Sequence, residues 1–279
     1  MKLGVVGKGG TGKTTIAALL AQAYVARGHR VLAIDTDSNP NLAFSLGLEF
    51  IPTSEVPVIP RSLAVGSGDG QTSPADLLRD YGLSTPSQVT VLHAMAVTQA
   101  GAGCTCGGHA SVRSLLGAAI EDEADVTVVD MEAGLEHLSR SGGTLAHADA
   151  LLVVMEPSLK SVVTAARTLV LAEELGIPRV YGIGNKARLP ADAAFYKTAA
   201  ADHGIHMAAI VPHDEEISAA DRAGKVIAPG QGLPVRAAIE EIVTFLDSSG
   251  AEREALLRAR DRVDQRLAEI SGQESGLSA

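Results

Sequence analysis

The sequence predicts an α/β fold in which a mostly parallel, doubly wound sheet is flanked by helices. Apolar runs of strand length alternate with longer stretches of helical periodicity along most of the 279 residues. The runs are continuously apolar, as expected of strands that are covered on both faces. A glycine-rich loop follows the first run and precedes a helical stretch, which is the place where such sheets bind phosphate groups.

The elements follow one another in a simple order. Strands are predicted at residues 3–6, 31–34, 89–92, 126–129, 151–155, 180–183 and 207–211. Helices are predicted at residues 14–27, 109–120, 159–175 and 191–203. Because the carboxyl ends of parallel strands meet at one edge, the segments 7–15, 35–41, 130–137 and 185–188 are expected to lie along that edge.

Residues 1–249 are predicted to form one domain. Residues 50–87 are rich in Pro, Ser and Gly, which indicates a long surface excursion. Residues 250–279 are predicted to begin as a charged helix and to end in a disordered polar tail.

Composition excludes several classes of protein. The formal net charge of −10 disfavours binding to DNA or to anionic membranes, and four Phe, four Tyr and no Trp leave few surfaces for stacking bases. No apolar run approaches the ~20 residues that cross a bilayer. Met1 leads directly into the first strand, so we expect no secretory signal and a cytoplasmic protein. Two cysteines cannot form a disulfide framework.

The glycine-rich loop at residues 7–15 matches the phosphate-binding pattern G-x-x-x-x-G-K-[ST] and predicts a P-loop NTPase. Its backbone N–H groups and the following helix N-terminus favour a bound anion. Lys13 is expected to bridge the β- and γ-phosphates, and the Thr14 hydroxyl to bind Mg²⁺. The predicted nucleotide-binding residues here are Gly9, Gly10, Thr11, Gly12, Lys13, Thr14 and Thr15.

Carboxylates follow two of the predicted strands. We assign Asp35 and Asp130, with Thr14, to the Mg²⁺ shell, because a carboxylate at a strand end beside the phosphate loop can hold the ion through water. Asp37 is predicted to orient the attacking water. The alternative for Asp37 is a turn residue, since Asp-Ser-Asn-Pro is favourable turn chemistry. Gly134 would let its segment swing onto a γ-phosphate as a switch.

The segment Lys-Gly-Gly-Thr-Gly-Lys-Thr-Thr, beginning at Lys8, resembles the deviant Walker A loop of the MinD/ParA and nitrogenase iron-protein superfamily of SIMIBI-type P-loop NTPases. The resemblance implies an ATPase that forms an ATP-bound homodimer. In it Lys8 reaches the partner's phosphates and joins Lys13 and Asp37 in catalysis. It also implies adenine contacts from Asn185, Pro212 and Asp214, for which ordinary loop roles are the alternative.

Cys104 and Cys106 are the chain's two cysteines and share one glycine-rich loop before a helix. Helix N–H groups favour the thiolate, which is the metal-binding form. A closed tetrahedral site needs four ligands, which a two-fold dimer would supply as Cys₄. His109 offers a second solution within one chain, and two buried, inert thiols are a third interpretation.

The segment 104–110, together with Asp-Met-Glu-Ala-Gly-Leu-Glu-His-Leu-Ser-Arg at 130–140, resembles the CooC-type branch of that superfamily. Those proteins are nickel-handling ATPases that help to mature carbon monoxide dehydrogenase. The resemblance implies that Cys104 and Cys106 bind Ni²⁺ or Zn²⁺ at the dimer interface and that the client is a dehydrogenase-like apo-enzyme. An electron-transfer ATPase with a bridging [4Fe–4S] cluster and a MinD/ParA-like positioning ATPase remain as alternatives.

Overall fold

An eight-stranded sheet forms the centre of the computed structural model, which describes residues 1–52, 54–60, 72–96, 106–117, 120–134, 138 and 144–250. The strand order is β3-β4-β2-β5-β1-β6-β7-β8, and every neighbouring pair is parallel except β3 and β4. The strands are β1 (Lys2–Gly7), β2 (Val31–Asp35), β3 (Leu83–Ser84), β4 (Thr90–His93), β5 (Val126–Asp130), β6 (Ala150–Met155), β7 (Val180–Ala187) and β8 (Met207–Pro212).

Helices connect most of these strands. They are α1 (Lys13–Ala26), α2 (Leu42–Ser45), α3 (Pro74–Tyr81), α4 (Cys106–Gly117), α5 (Leu159–Glu174), α6 (Pro190–Asp202), α7 (Glu215–Arg222) and α8 (residues 233–250). Side-chain caps fix several starts: Ser158 accepts from the N–H of Ser161, and Asp214 accepts from the N–H groups of Glu216 and Ile217.

Two hydrophobic layers cover the sheet. One contains buried residues of α1 and α8, such as Leu20 and Ile239, and the other contains residues of α4, α5 and α6, such as Val162. Neighbouring residues of β1 point to opposite layers, with Val5 in the first and Val6 in the second. The predicted doubly wound, mostly parallel sheet is therefore confirmed.

β1 lies between β5 and β6, with β2 to β5 on one side of it and β6 to β8 on the other. In open α/β sheets, ligands bind beyond the carboxyl end of the strand where the order reverses. The glycine-rich loop that follows β1 occupies this position. Asp35 and Asp130 are the last residues of β2 and β5 and lie opposite each other in register.

The segment predicted as a surface excursion is more structured than expected. Residues 74–84 of the 50–87 segment form α3 and β3, and the side chains of Ile59 and Leu77 are buried in the core. Ser73 is the N-cap of α3, and Pro74 is its first residue. This helix was not predicted from the sequence, because the surrounding segment is rich in Pro, Ser and Gly. Residues 53 and 61–71 lie outside the described residues. Of the helix predicted from residue 250 onward, only Gly250 is described, and it is helical.

Among the described residues, no helix combines the length and the apolar character that crossing a bilayer requires.

Candidate active site

A cleft of about 620 Å³ opens at the carboxyl edge of the sheet and lies within the size range of small-ligand sites. It is lined by the glycine-rich loop and by segments that follow β2, β5, β7 and β8. The predicted residues that line it are Gly9, Gly10, Gly12, Lys13, Thr14, Thr15, Asp37, Asn185, Pro212 and Asp214. Their clustering is what the strand topology requires.

Backbone geometry shapes the loop around the cleft. Gly10 and Gly12 adopt positive φ angles of 81° and 94°, which glycine tolerates at little cost. Gly12 is also the N-cap residue of α1, and it provides no side chain to cap the N-terminus of that helix. The first N–H groups of α1 are therefore available to a phosphate in the cleft.

Three hydrogen bonds hold this loop from the side and from within. Asn185 donates its Nδ2 to the Thr11 carbonyl at 2.8 Å, and Lys186 donates its Nζ to the Gly10 carbonyl at 2.6 Å. The Thr11 hydroxyl donates to the Lys8 carbonyl at 2.9 Å. Asn185, predicted as an adenine contact, thus braces the phosphate loop. Lys186 lies next to Asn185 in β7 and within the segment 185–188 that was expected at this edge, but no role was predicted for it from the sequence.

Lys13 is the innermost cation of the cleft. Its side chain is only 8% exposed, and its Nζ lies 3.4 Å from the Lys8 carbonyl. Burial lowers the pKa of Lys13, and the negative charges of Asp130, Asp37 and Glu132 oppose that shift. A cation with so little water around it is suited to a strong interaction with phosphate oxygens.

Asp130 carries a buried carboxylate oxygen, Oδ1, that has no hydrogen-bond partner among the described residues. The Thr14 hydroxyl hydrogen-bonds to the same carboxyl group. Burial and the neighbouring Asp35 raise the pKa of Asp130 well above its usual value. An unpartnered carboxylate oxygen beside a threonine hydroxyl and a phosphate loop is a donor set that fits Mg²⁺.

The carboxylate of Asp35 already accepts three backbone hydrogen bonds, which leaves it less available to a metal ion. Its Oδ1 accepts from the N–H of Asp37, and its Oδ2 accepts from the N–H groups of Asn41 and Leu42, each at 2.9 Å. Burial raises the pKa of Asp35 to about 6. A carboxylate offers about four lone-pair positions. Asp35 therefore fixes the loop before α2 and retains roughly one position for an ion or its water.

The segments after β2 and β5 are joined to each other. The Thr36 hydroxyl donates to the Asp130 carbonyl at 3.0 Å, and the Ser38 hydroxyl donates to Glu132 Oε1 at 3.0 Å. Asp37 accepts from the N–H of Asn39 at 2.8 Å, which is the turn contact of the alternative interpretation, and it also lines the cleft. A ligand that moves one segment would therefore pull on the other.

The far end of the cleft contains Pro212 and Asp214 together with Arg188 and Arg222. Asp214 uses its Oδ1 to cap α7, so it places that helix beside the cleft. Arg188 ends the segment 185–188 that was expected at this edge, although no role was predicted for it. Arg222 was missed, because it lies in no recognisable motif. The predicted switch glycine, Gly134, has a φ of 117°, a conformation that glycine adopts most readily.

The structure describes little of the cysteine pair. Cys104 lies outside the described residues. The backbone of Cys106 begins α4, and its side chain also lies outside. His109 is buried in the first turns of α4. Among the side chains that are described, no group of three or more His, Cys, Asp or Glu could hold a metal ion. The thiolate site stays a prediction.

Comparison with known proteins places these features in a family. The model of the CobQ/CobB/MinD/ParA nucleotide binding domain matches residues 5–227. The carbon monoxide dehydrogenase accessory protein CooC of Rhodospirillum rubrum is 36% identical over 238 residues, which are 80% of this chain and 88% of that protein. An uncharacterized ATP-binding protein of Methanocaldococcus jannaschii is 33% identical over 258 residues, 88% of this chain and 97% of that protein.

Solved structures share the architecture. The septum site-determining protein MinD of Pyrococcus horikoshii, in complex with Mg-ADP, superposes with a TM-score of 0.66 at 19% identity. The match covers 89% of this chain and 96% of that one. At this identity the likeness shows a common fold.

Proposed function

Because the chain belongs to the CobQ/CobB/MinD/ParA nucleotide-binding family, we propose that it is an ATP-driven accessory protein that delivers nickel to a metalloenzyme. The client would resemble carbon monoxide dehydrogenase, since the similar protein CooC is named as an accessory to that enzyme. ATP closes two chains into a dimer, the dimer holds one metal ion through four cysteine thiolates, and hydrolysis releases it.

The observation that carries the ATPase part is the cleft around Lys13. The loop N–H groups and the buried Lys13 cation bind the β- and γ-phosphates. Thr14 and Asp130 would hold Mg²⁺, with Asp35 one layer further out, and the ion supplies charge neutralisation on the phosphate oxygens. Lys186 and Asn185 keep the loop in place while the nucleotide is bound.

Asp37 is the residue that we assign to the attacking water. It lines the cleft, and its Asx-type turn with Asn39 holds the carboxylate near the phosphate loop. One carboxylate oxygen remains for a water molecule, because the turn uses Oδ1. Positioning that water in line with the γ-phosphate is the chemistry that hydrolysis requires of the protein.

Dimerisation follows from the second lysine. The side chain of Lys8 is 42% exposed, and Lys8 is not among the described residues that line the chain's own cleft. We therefore assign it to the phosphates of a second chain. Asn185, Pro212 and Asp214 would then frame the adenine end of the cleft of the same chain.

The metal is cargo in this scheme, carried by Cys104 and Cys106 of both chains. Two thiolates from each chain give the four ligands of a tetrahedral site on the dimer axis. Thiolates bind both Ni²⁺ and Zn²⁺, so either ion is chemically suitable. One cargo ion per dimer gives ATP a reason to bring the chains together.

Hydrolysis and dimerisation test the first half of the proposal. Light scattering should report a monomer without nucleotide and a dimer with a non-hydrolysable ATP analogue, and the wild-type protein should release phosphate from Mg-ATP. The Lys197→Ala variant removes an exposed lysine of α6 and is the matched control for the alanine variants of Lys8 and Lys13. A wild-type protein that stays monomeric with the analogue would contradict the proposal.

Elemental analysis separates the alternatives. Protein purified without oxygen should contain nickel or zinc after incubation with the ATP analogue. Four bound irons with visible absorption would instead identify an electron-transfer ATPase, since four thiolates also hold a [4Fe–4S] cluster. Nucleotide-dependent co-sedimentation with anionic vesicles or with DNA would identify a positioning ATPase.

A further inference from the structure

Lys8 is engaged within its own chain. Its Nζ lies 3.5 Å from Oε1 of Glu156, the residue that directly follows β6. The two side chains are 42% and 32% exposed, so the pair lies at the protein surface. The contact joins the loop after β1 to the end of the adjacent strand.

Glu156 is held in place by the start of α5. Its N–H donates to the Ser161 hydroxyl at 3.1 Å, and its carbonyl accepts from the N–H of Ser158 at 2.7 Å. The Ser158 hydroxyl donates to Glu156 Oε1 at 3.4 Å, and Ser158 is the N-cap of this 16-residue helix. The positive end of the helix dipole favours the carboxylate at this position.

Lys8, in contrast, reaches the pair through a long side chain. Its backbone carbonyl is held by the Thr11 hydroxyl, but its ammonium group lies at the end of a flexible four-carbon stem that is 42% exposed. The rigid partner of the pair is therefore Glu156, and the adjustable partner is Lys8. Moving Lys8 toward a second chain requires breaking its contact with Glu156.

We propose that Glu156 is a positioning residue that restrains Lys8 in the nucleotide-free chain and thereby sets a threshold for dimer closure. The inference rests on the proposed function, in which Lys8 binds the phosphates of the partner chain. ATP on the partner offers a competing set of negative oxygens. Closure proceeds when that attraction exceeds the attraction of Glu156, so accidental pairing of empty chains is suppressed.

The size of the effect follows from the exposure of the pair. A solvent-exposed ion pair changes an equilibrium by roughly 1.4- to 5-fold. Because each dimer requires two lysines to be released, the dissociation constant should change by about the square, roughly 2- to 30-fold. Salt should reduce the effect, because it screens exposed charges.

Glu156→Gln removes the charge and keeps the shape. With the ATP analogue, sedimentation velocity should show a dimer that is tighter than wild type by this factor at low salt and by less at high salt. Glu174→Gln, an exposed change at the far end of α5, is the matched control and should behave as wild type. In the Lys8→Ala background, Glu156→Gln should not restore a dimer, since Glu156 acts through Lys8.

Labelling of the monomer provides a second readout. In nucleotide-free protein, an amine-acetylating ester should modify Lys8 two- to fivefold faster in Glu156→Gln than in wild type, with Lys197 unchanged in both. Equal Lys8 labelling, or a dimer that Glu156→Gln leaves unchanged or weakens, would overturn the inference. A wild-type protein that never dimerises would instead overturn the proposed function, and the labelling result would still decide whether Glu156 restrains Lys8.

Discussion

The two halves of the phosphate loop differ in how the chain holds them. In the inner half, residues 11–14, Thr11 and Lys13 are buried and the Thr11 carbonyl is bound by Asn185. In the outer half, residues 8–10, the glycines are exposed and Lys186 holds the Gly10 carbonyl. The Lys8 side chain lies at the surface, with its Nζ 3.5 Å from a carboxylate oxygen of Glu156. The inner half is built to bind phosphate within one chain, and the outer half faces outward.

In the proposed dimer, one short loop would serve two chains. Burial holds Lys13, which we assign to the chain's own nucleotide. Lys8, which we assign to the partner's nucleotide, has an exposed side chain in a weak surface ion pair and would be able to change partners. Changes in the inner half should therefore impair nucleotide binding, whereas changes in the outer half should impair association.

The largest expected effect is on the inner lysine. Lys13→Ala should lower the rate of ATP hydrolysis by about 10²–10³-fold, because it removes a preorganised cation from the transferring phosphoryl group. It should also weaken binding of the ATP analogue to the monomer, measured by calorimetry. Binding that equals wild type would show that Lys13 does not face the nucleotide.

The outer lysine should give a different pattern. Lys8→Ala should lower hydrolysis by about 10²-fold and abolish the analogue-induced dimer in light scattering. The monomer should still bind the analogue with nearly wild-type affinity, because Lys8 does not serve its own cleft. A parallel loss of monomer affinity would remove the distinction between the two halves.

Two glycine variants test the difference between the inner and outer halves of the loop by their effect on protein stability. Gly12→Ala should destabilise the protein by about 2–3 kcal/mol, because it combines a φ of 94° with a Cβ placed 2.5 Å from Asn185 Nδ2. Gly10→Ala shares the strain, with a φ of 81°, and its Cβ meets nothing within 4 Å. It should cost about 1 kcal/mol.

Urea unfolding of both variants measures this difference. Replacing Asn185 by Ala should recover part of the loss in Gly12→Ala, since the added Cβ would then have room. Equal losses of unfolding free energy in the two glycine variants would show that the close approach of Asn185 to Gly12 does not constrain this part of the loop.

The smallest expected effect is a dependence of stability on pH. In the folded protein the pKa of Asp35 is raised from 3.8 to about 6, because burial favours the protonated carboxyl group. Its contribution to the free energy of unfolding is therefore fully present below pH 3.8 and is lost as pH rises through 6. Wild type should therefore gain about 1 kcal/mol relative to Asp35→Asn when pH falls from 7 to 5. Urea unfolding of the nucleotide-free proteins at both pH values measures it, and a constant difference between them would contradict the burial of the charge.

Much of the fold was predictable because its signals are local. The apolar runs and the pattern at residues 7–15 depend on near neighbours in sequence, and the predicted α/β fold, the family and the class of P-loop ATPase are confirmed. α3 was missed because its hydrophobic face is short and lies in a segment of turn-forming residues.

The contacts that organise the site were not predictable. Asn185 and Lys186 brace a loop more than 170 positions away, and Glu156 meets Lys8 only because β6 pairs with β1. Such contacts arise from strand order, which no local pattern encodes. The site assignments, the thiolate pair, the Ni²⁺ or Zn²⁺ cargo and the cytoplasmic location stay predictions.

We propose that ATP assembles a shared thiolate site. A titration with Ni²⁺ of the anaerobic wild-type protein, with and without the ATP analogue, beside the Cys104→Ser, Cys106→Ser double variant, tests this proposal. We expect one tightly bound ion per two chains with the analogue, and loss of that ion in the double variant. Tight binding that persists in the double variant, or one ion per chain without nucleotide, would contradict it.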